Sequence, residues 1–561
     1  MYSASLMRTR LLSASLFAAA VVGLAAQSTD LASEGKQWWA HVQFLADDKL
    51  EGRNVGTPGF DKAVDYVEGQ FRSIGLKPIG SAQGGPAGTA GFRQPVQLDS
   101  RVLIAAESRL ALVRDGKEQP LVIGQDASLT ARGELDGSME APIVFVGYGL
   151  SIPEAGWDDF AGLDLKGKIA VYVNAFPPAK VSDNVKSHVN TADERWLALK
   201  RAGAVGVATI TPRPAGAAPA AATAAPAAPA AAAGGGGGGT PQPTITLLDR
   251  TLVDAAGESV AITLTSRGAE ALLAGSGHTL DELNQLVADS KPLPRFALNG
   301  TLKAQAKLTR ETINSANVVG VFEGSDPALR SEYVVMSAHL DHVGIGRAVN
   351  GDALYNGAMD DASGVAAMIE TARLLKASGV KTKRSVLFVA VTAEEKGLLG
   401  SRYFAGKPTV PFTQIVADIN LDMFLPLYPL KVIEVQGLAE SSLGESAKAA
   451  AASLGVGVQV DREPEQNRFI RSDQYSFIRK GVPALAFKFG YEFGSPDETI
   501  RRNWVRDVYH KPSDDTNQPV NLEAAATFNR VIMTLLQRVA NDAARPTWNA
   551  DSFFRRFAVG R

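Results

Sequence analysis

Beyond about residue 310 the chain alternates near-continuous apolar runs with amphipathic segments, and this alternation restricts its fold more than any other feature. Val318–Phe322, Tyr333–Ser337, Ser385–Val391 and Ile415–Leu421 lack the in–out alternation of a half-exposed strand, and Val432–Val435 and Ala484–Phe487 follow them. Between and after these runs, Gly364–Ala377 and Leu522–Ala540 repeat apolar residues at helical spacing. Strands that are apolar on both faces must be covered on both faces, and helical crossovers do this. The expected fold class is α/β, with a mixed, mostly parallel central sheet flanked by helices.

The rest of the chain reads differently. Trp38, Trp39, Val42, Phe44 and Leu45 fit one helical face, and Phe60, Val64, Val67, Phe71 and Ile74 a second, with Thr57-Pro58-Gly59 as the turn between them. Residues 90–150 are strand-like, and from about 133 to 265 short strands accompany one helix, Glu194–Arg201. Pro214–Gly239 is an Ala/Pro tract ending in six glycines. No Gly-Lys-Ser/Thr follows, so the glycines read as a flexible loop rather than a phosphate cradle.

At the N-terminus Arg8 and Arg10 precede the apolar stretch Leu11–Ala26, with small residues before Gln27. This is the pattern of a secretory signal, and the run is short for a spanning helix, which needs roughly 20 apolar residues. The expected organisation is a signal peptide over 1–26, a first part of the main domain over 27–132, and an insertion over 133–300 with a flexible loop at 214–243. The main domain then resumes over 301–561. The expected location is periplasmic or extracellular, with no stable membrane insertion after cleavage.

Composition narrows the chemistry. With 57 basic and 59 acidic side chains there is no cationic surplus to hold a phosphate backbone, so nucleic acid is not an expected partner. The absence of cysteine removes disulfides, thiol nucleophiles and thiolate metal sites, and with six histidines any metal centre must lean on carboxylates.

In α/β sheets, sites gather at the carboxyl ends of the strands. Tyr333–Ser337 runs into Ala338-His339-Leu340-Asp341-His342, Ser385–Val391 into Thr392-Ala393-Glu394-Glu395, and Ile415–Leu421 into Asp422. Asp360 and Asp361 open the helix that follows the first of these, and Tyr509-His510 lies in a later loop. Two histidines and several carboxylates on one sheet edge form the donor set of a dinuclear zinc site, in which one ligand bridges the ions. Three carboxylates and a hydroxide neutralise two zinc ions, whereas the same acids packed without metal would be forced to take up protons. A second glutamate beside a ligand provides a base.

Taken together, His339-Leu340-Asp341, Asp360-Asp361-Ala362-Ser363-Gly364, Glu394-Glu395-Lys396-Gly397-Leu398-Leu399-Gly400-Ser401, Asn420-Leu421-Asp422-Met423 and Tyr509-His510 resemble the co-catalytic zinc aminopeptidases of clan MH. Leu50-Glu51-Gly52-Arg53 through Ile74-Gly75-Leu76 resembles that family's opening helices. The resemblance is to the bacterial branch with an inserted, mainly-β protease-associated domain. It rests there on Gly147-Tyr148-Gly149, Leu165-Lys166-Gly167-Lys168-Ile169-Ala170 and Lys200-Arg201-Ala202-Gly203-Ala204.

The resemblance implies a zinc exopeptidase fold, two zinc ions per chain and peptide substrates. It implies that Asp360 bridges the ions, with its bond to Asp361 commonly cis. His339 and Asp422 complete one zinc site and Glu395 and His510 the other. Glu394 is then the general base, later the acid, in attack by a metal-activated water, and Asp341 orients His339 from behind. Glutaminyl cyclases and carboxypeptidases share the scaffold and remain alternatives. Relatives that act as non-catalytic ectodomains have lost ligands that are present here.

The neighbouring residues have plainer readings. His342 reads as a structural or rim residue, and His41, His188 and His278 as surface or packing residues. Gln474, where relatives often carry His, reads as structural support or a substrate contact. Asp514 and Asp515 either orient His510 or solvate its loop. Oligomeric state is not readable.

Overall fold

The computed structural model describes residues 31–81, 90–213 and 243–558; the expected signal segment and nearly all of the 214–243 tract lie outside the described residues. The chain divides into two compact units, one formed by Met1–Val96, Ser315–Glu463 and Arg471–Arg561, the other by Gln97–Asn314 and Pro464–Ile470.

In the first unit the strands are β1 (Arg93–Leu103, shared in sequence with the second unit), β2 (Leu308–Phe322, likewise shared), β3 (Tyr333–His339), β4 (Ser385–Val391), β5 (Ile415–Leu421), β6 (Val432–Gln436), β7 (Gly457–Gln459) and β8 (Ala484–Phe489). Their order across the sheet is β7-β6-β8-β5-β3-β4-β2-β1. β3 runs parallel to both β4 and β5, and β5 parallel to β8, while β2 and β6 are antiparallel to their neighbours β4 and β8. The expected mixed, mostly parallel sheet is present.

Strand β4 shows why the run is apolar throughout. Val386, Phe388 and Ala390 join one core, and Leu387, Val389 and Val391 another on the opposite face. The first core is closed by α1 (31–45), α2 (Pro58–Ile74), α3 (Ser363–Ala377) and α4 (Leu522–Asn541), through Trp38, Val64, Ile369 and Leu535 among others. The expected turn before α2 is its N-cap: the Thr57 side chain accepts the Phe60 N–H at 3.3 Å and Pro58 takes the first helical position. Among the described residues no helix is long and apolar enough to cross a membrane.

The second unit holds an eight-stranded mixed sheet in the order Lys117–Pro120, Arg109–Arg114, Arg295–Ala306, Gly137–Val146, Ile169–Val173, Gly206–Ile210, Val260–Leu264, Ala127–Leu129. It is wider than the stretch 133–300, because Arg109–Arg114 pairs with Arg295–Ala306, whose other edge pairs with Gly137–Val146. It is also more helical than expected. Besides Ala192–Arg201 it contains Asp183–Val189, Ser266–Leu273 and Leu280–Ala288. Thr279 and Glu282 form a reciprocal capping box that starts the last of these, a local signal in the sequence that compositional reading passes over.

Candidate metal centre

Three neighbouring parallel strands end side by side, and each delivers part of the site. β3 ends at His339, β4 is followed by Glu394 and Glu395, and β5 by Asp422. The loop before α3 adds Asp360 and Asp361, joined by a cis peptide bond. Asp361 acts on the backbone around it, its Oδ1 accepting the N–H groups of Gly364 at 2.9 Å and Met423 at 3.1 Å. A Cβ at residue 364 would stand 2.4 Å from that carboxylate, which explains the glycine. His510 follows the helix Pro496–Asp507, and its ring stacks on Tyr509 with centroids 4.0 Å apart.

The two oxygens of Asp360 face different histidines. Oδ1 lies 3.1 Å from His339 Nε2, and Oδ2 lies 3.0 Å from His510 Nε2. His339 Nε2 is also 4.0 Å from Asp422 Oδ1, and His510 Nε2 is 3.2 Å from Glu395 Oε1. Two triads bring ligand atoms within 4.8 Å of one another: His339, Asp360 and Asp422, and His342, Asp360 and Glu395. Asp422 Oδ1 and Glu395 Oε1 are buried without a hydrogen-bond partner. Buried anionic oxygens left this way are costly, and a cation between them and the imidazoles satisfies them. Nitrogen and carboxylate donors around a split bridging acid fit zinc.

The electrostatics separate the two adjacent glutamates. Burial pushes Glu394 well above the usual carboxylate range, and Glu395, Asp473 and Asp422 add to this against the opposing pull of His339. Burial and Asp360 also act to raise Glu395, but His510 and His342 outweigh them and hold it below its ordinary value. Burial opposes charge on His510, yet Glu395 and Asp360 raise it to about 11. These are the couplings of a site that holds its acids and bases by mutual charge.

Surrounding groups fix these side chains. His339 Nδ1 contacts the backbone carbonyl of Asp341 at 3.0 Å, so the main chain rather than the Asp341 carboxylate orients this ring. That carboxylate is occupied elsewhere, accepting the N–H groups of Glu394 at 3.0 Å and Glu395 at 3.3 Å. It therefore ties the β3 loop to the β4 loop. Arg53, fully buried, donates to the carbonyls of Leu45 (2.5 Å), Leu340 (3.0 Å), Asn356 (2.7 Å) and Gly357 (2.9 Å). Beside Asp422, Lys488 Nζ donates to its backbone carbonyl and stands 3.6 Å from Oδ1.

Two neighbouring residues, His342 and Asp514, differ from their sequence readings, and Gln474 takes one of the two roles read for it. His342 is fully buried rather than at the rim, and its Nδ1 is 2.8 Å from Glu395 Oε1. Asp514 does not reach toward His510; it accepts from the backbone of Met359 and Asp360. Gln474 is buried and accepts from Asn420 Nδ2 at 2.8 Å, which is structural support two residues before Asp422. The one sequence signal for His342 was its place at a strand end. His41, His188 and His278 pair with Glu370, Glu194 and Glu282 outside the site.

Residues 317–536 match Peptidase family M28. A protein named probable leucine aminopeptidase 2 from Aspergillus oryzae is 28% identical over 261 residues, which is 44% of this chain and 50% of that protein. Its namesake from Aspergillus fumigatus is 30% identical over 215 residues, 37% of this chain and 40% of that protein. The chain thus spans half or less of the length of these relatives. Among solved structures, the aminopeptidase from Aneurinibacillus sp. strain AM-1 aligns over 92% of this chain and 97% of its own, with a TM-score of 0.51 and 19% identity, and shares the fold. Residues 317–536, the stretch that carries the strand ends and loops of the site, are thus similar to Peptidase family M28.

Proposed function

We propose that the protein is a zinc-dependent exopeptidase, an aminopeptidase that removes N-terminal residues from peptides, and that it is exported under the signal peptide at residues 1–26. The observation that carries the reading is the split of Asp360, one oxygen toward His339 and the other toward His510, beside Glu394. His339, Asp360 and Asp422 would hold one zinc, and Asp360, Glu395 and His510 the other. When bound, zinc supplies Lewis-acid polarisation of the scissile carbonyl and acidification of water.

Glu394 accepts the proton of the attacking water at its carboxylate and returns it to the departing amine. Its elevated proton affinity suits both transfers, whereas Glu395, held low by two histidines, suits a permanently charged ligand. Asp341 positions both glutamates through their backbone N–H groups. The names of the relatives support aminopeptidase specificity.

The test is a substrate panel on the purified chain before and after chelation: aminoacyl anilides, N-acetylated peptides, and peptides beginning with glutamine. Chelator-sensitive release from free N-termini is the expected result. Release from C-termini, or cyclisation of N-terminal glutamine without hydrolysis, would overturn the assignment.

A further inference from the structure

The imidazole of His342 has no role in the five-ligand arrangement, yet it occupies the centre of the site. It is closed off from solvent, with 0% of the residue accessible, and neither Nδ1 nor Nε2 has a hydrogen-bond partner. An imidazole buried this way leaves both ring nitrogens without a hydrogen-bond partner, and buried polar atoms of that kind call for an explanation such as an ion. Its Nδ1 stands 2.8 Å from Glu395 Oε1, an oxygen equally without a hydrogen bond, and 3.8 Å from Asp360 Oδ2. The approach is that of two groups drawn to one centre of charge.

We infer that His342 is a further metal-ligating residue, its Nδ1 joining His510 Nε2, Glu395 Oε1 and Asp360 Oδ2 around one divalent cation. The spacing of these atoms supports this. Zinc bonds of roughly 2.0–2.2 Å in a tetrahedron put neighbouring donors about 3.3 Å apart. The recorded separations are 2.8 Å and 3.8 Å from His342, and 3.0 Å and 3.2 Å from His510. The rings of His342 and His510 approach at 68° with centroids 5.7 Å apart, so they converge on the two acids without stacking.

The surroundings hold the ring where it is. The backbone N–H of His342 donates to the Arg53 carbonyl at 3.3 Å. Gly357, at φ 64°, passes so close that a Cβ there would stand 2.5 Å from His342 Cγ. A side chain at residue 357 would collide with the imidazole and, at 2.2 Å, with the carbonyl of Asp360. With four protein donors, a cation at His342 and His510 would keep less open coordination than one at His339 and Asp422. This inference rests on the zinc reading above.

The experiment is X-ray absorption at the zinc edge on the full chain loaded with zinc and freed of excess, together with chelator competition. Three imidazoles shared by two ions predict about 1.5 imidazoles per zinc, against about 1.0 for two histidines. In His342→Ala and His342→Gln, one of the two ions should be lost at least 10–100-fold more readily while the other is unaffected. Two bound ions with one imidazole each, or unchanged affinity for both ions in the variants, would overturn the inference and leave the peptidase reading standing. A wild-type chain that takes up no zinc would instead overturn the metal reading itself. The wild-type spectrum decides the matter even if a variant folds poorly.

Discussion

Asp514 and Asp360 are joined by a hydrogen bond from main chain to side chain: Asp514 Oδ2 accepts the backbone N–H of Asp360 at 3.1 Å, while Oδ1 accepts that of Met359 at 2.9 Å. The segment after His510 thus braces the loop that carries the split acid, and Arg53 grips the carbonyls of Asn356 and Gly357 in the same loop.

Removing this brace loosens the ligand without touching the donor set. Asp514→Ala is expected to weaken zinc binding about 10–100-fold, and Asp514→Asn, which keeps one acceptor oxygen, by less. Chelator competition measures both. Equal affinity in Asp514→Ala and wild type would show that Asp360 needs no such support.

Glu394→Gln keeps size and shape while removing the proton acceptor. The variant should retain zinc and lose roughly 10²–10⁴-fold in kcat, with little change in KM. Metal content and steady-state kinetics on one preparation make the comparison. Near-wild-type turnover would move the base elsewhere.

Arg53→Met leaves four buried carbonyls without their donor. Hydrogen bonds to a charged group contribute about 1.5–3 kcal/mol each, offset in part by the desolvation of the guanidinium. That burial pulls Arg53 down to about 10 against the opposing effect of Asp514 and the site acids. The expected net loss is about 3 kcal/mol or more in urea unfolding. A loss below about 1 kcal/mol would mean the carbonyls find other donors.

Stripping the metal should lower the melting temperature, because acids packed around Asp360 lose their counter-charge. A ligand at about 1,000 times its Kd adds roughly 4 kcal/mol per site. Zinc added back should restore the melting temperature with saturable dependence. Identical melting curves with and without chelator would argue against an occupied centre.

Asp159, in the second unit, gives a pH prediction independent of metal. Burial raises its carboxyl from 3.8 to about 6, against the N–H of Leu150 and other donors. The folded state therefore binds a proton that the unfolded state releases between about pH 4 and pH 6, so stability falls as pH rises through that window. Asp159→Asn should flatten this dependence and recover on the order of 2 kcal/mol at pH 7. A slope unchanged by the substitution would assign the pH dependence to other groups.

The fold of the first unit was legible because its strands are buried on both faces. A run such as Ser385–Val391 admits little but a central strand, and Thr57-Pro58 marks its helix start by local chemistry alone. The second unit was less legible. Arg109–Arg114 and Arg295–Ala306 are ordinary two-faced strands whose partnership, across most of the unit's length, leaves no local trace. Its short capped helices carry too few residues for a strong period.

For the site, residue types at strand ends pointed to His339, Glu394, Glu395 and Asp422, because parallel strands place their carboxyl ends together whatever the loops do. Asp360 and His510, by contrast, lie in loops and entered the set through the resemblance of their motifs to the aminopeptidases. Only the tertiary structure decided what their neighbours do. His342 enters the cluster, the Asp341 carboxylate binds two N–H groups while its carbonyl orients His339, and Asp514 braces Asp360. Each of these depends on distances between segments far apart in the chain, set by how loops pack after the strands are in place, and no local pattern of residues encodes such a distance.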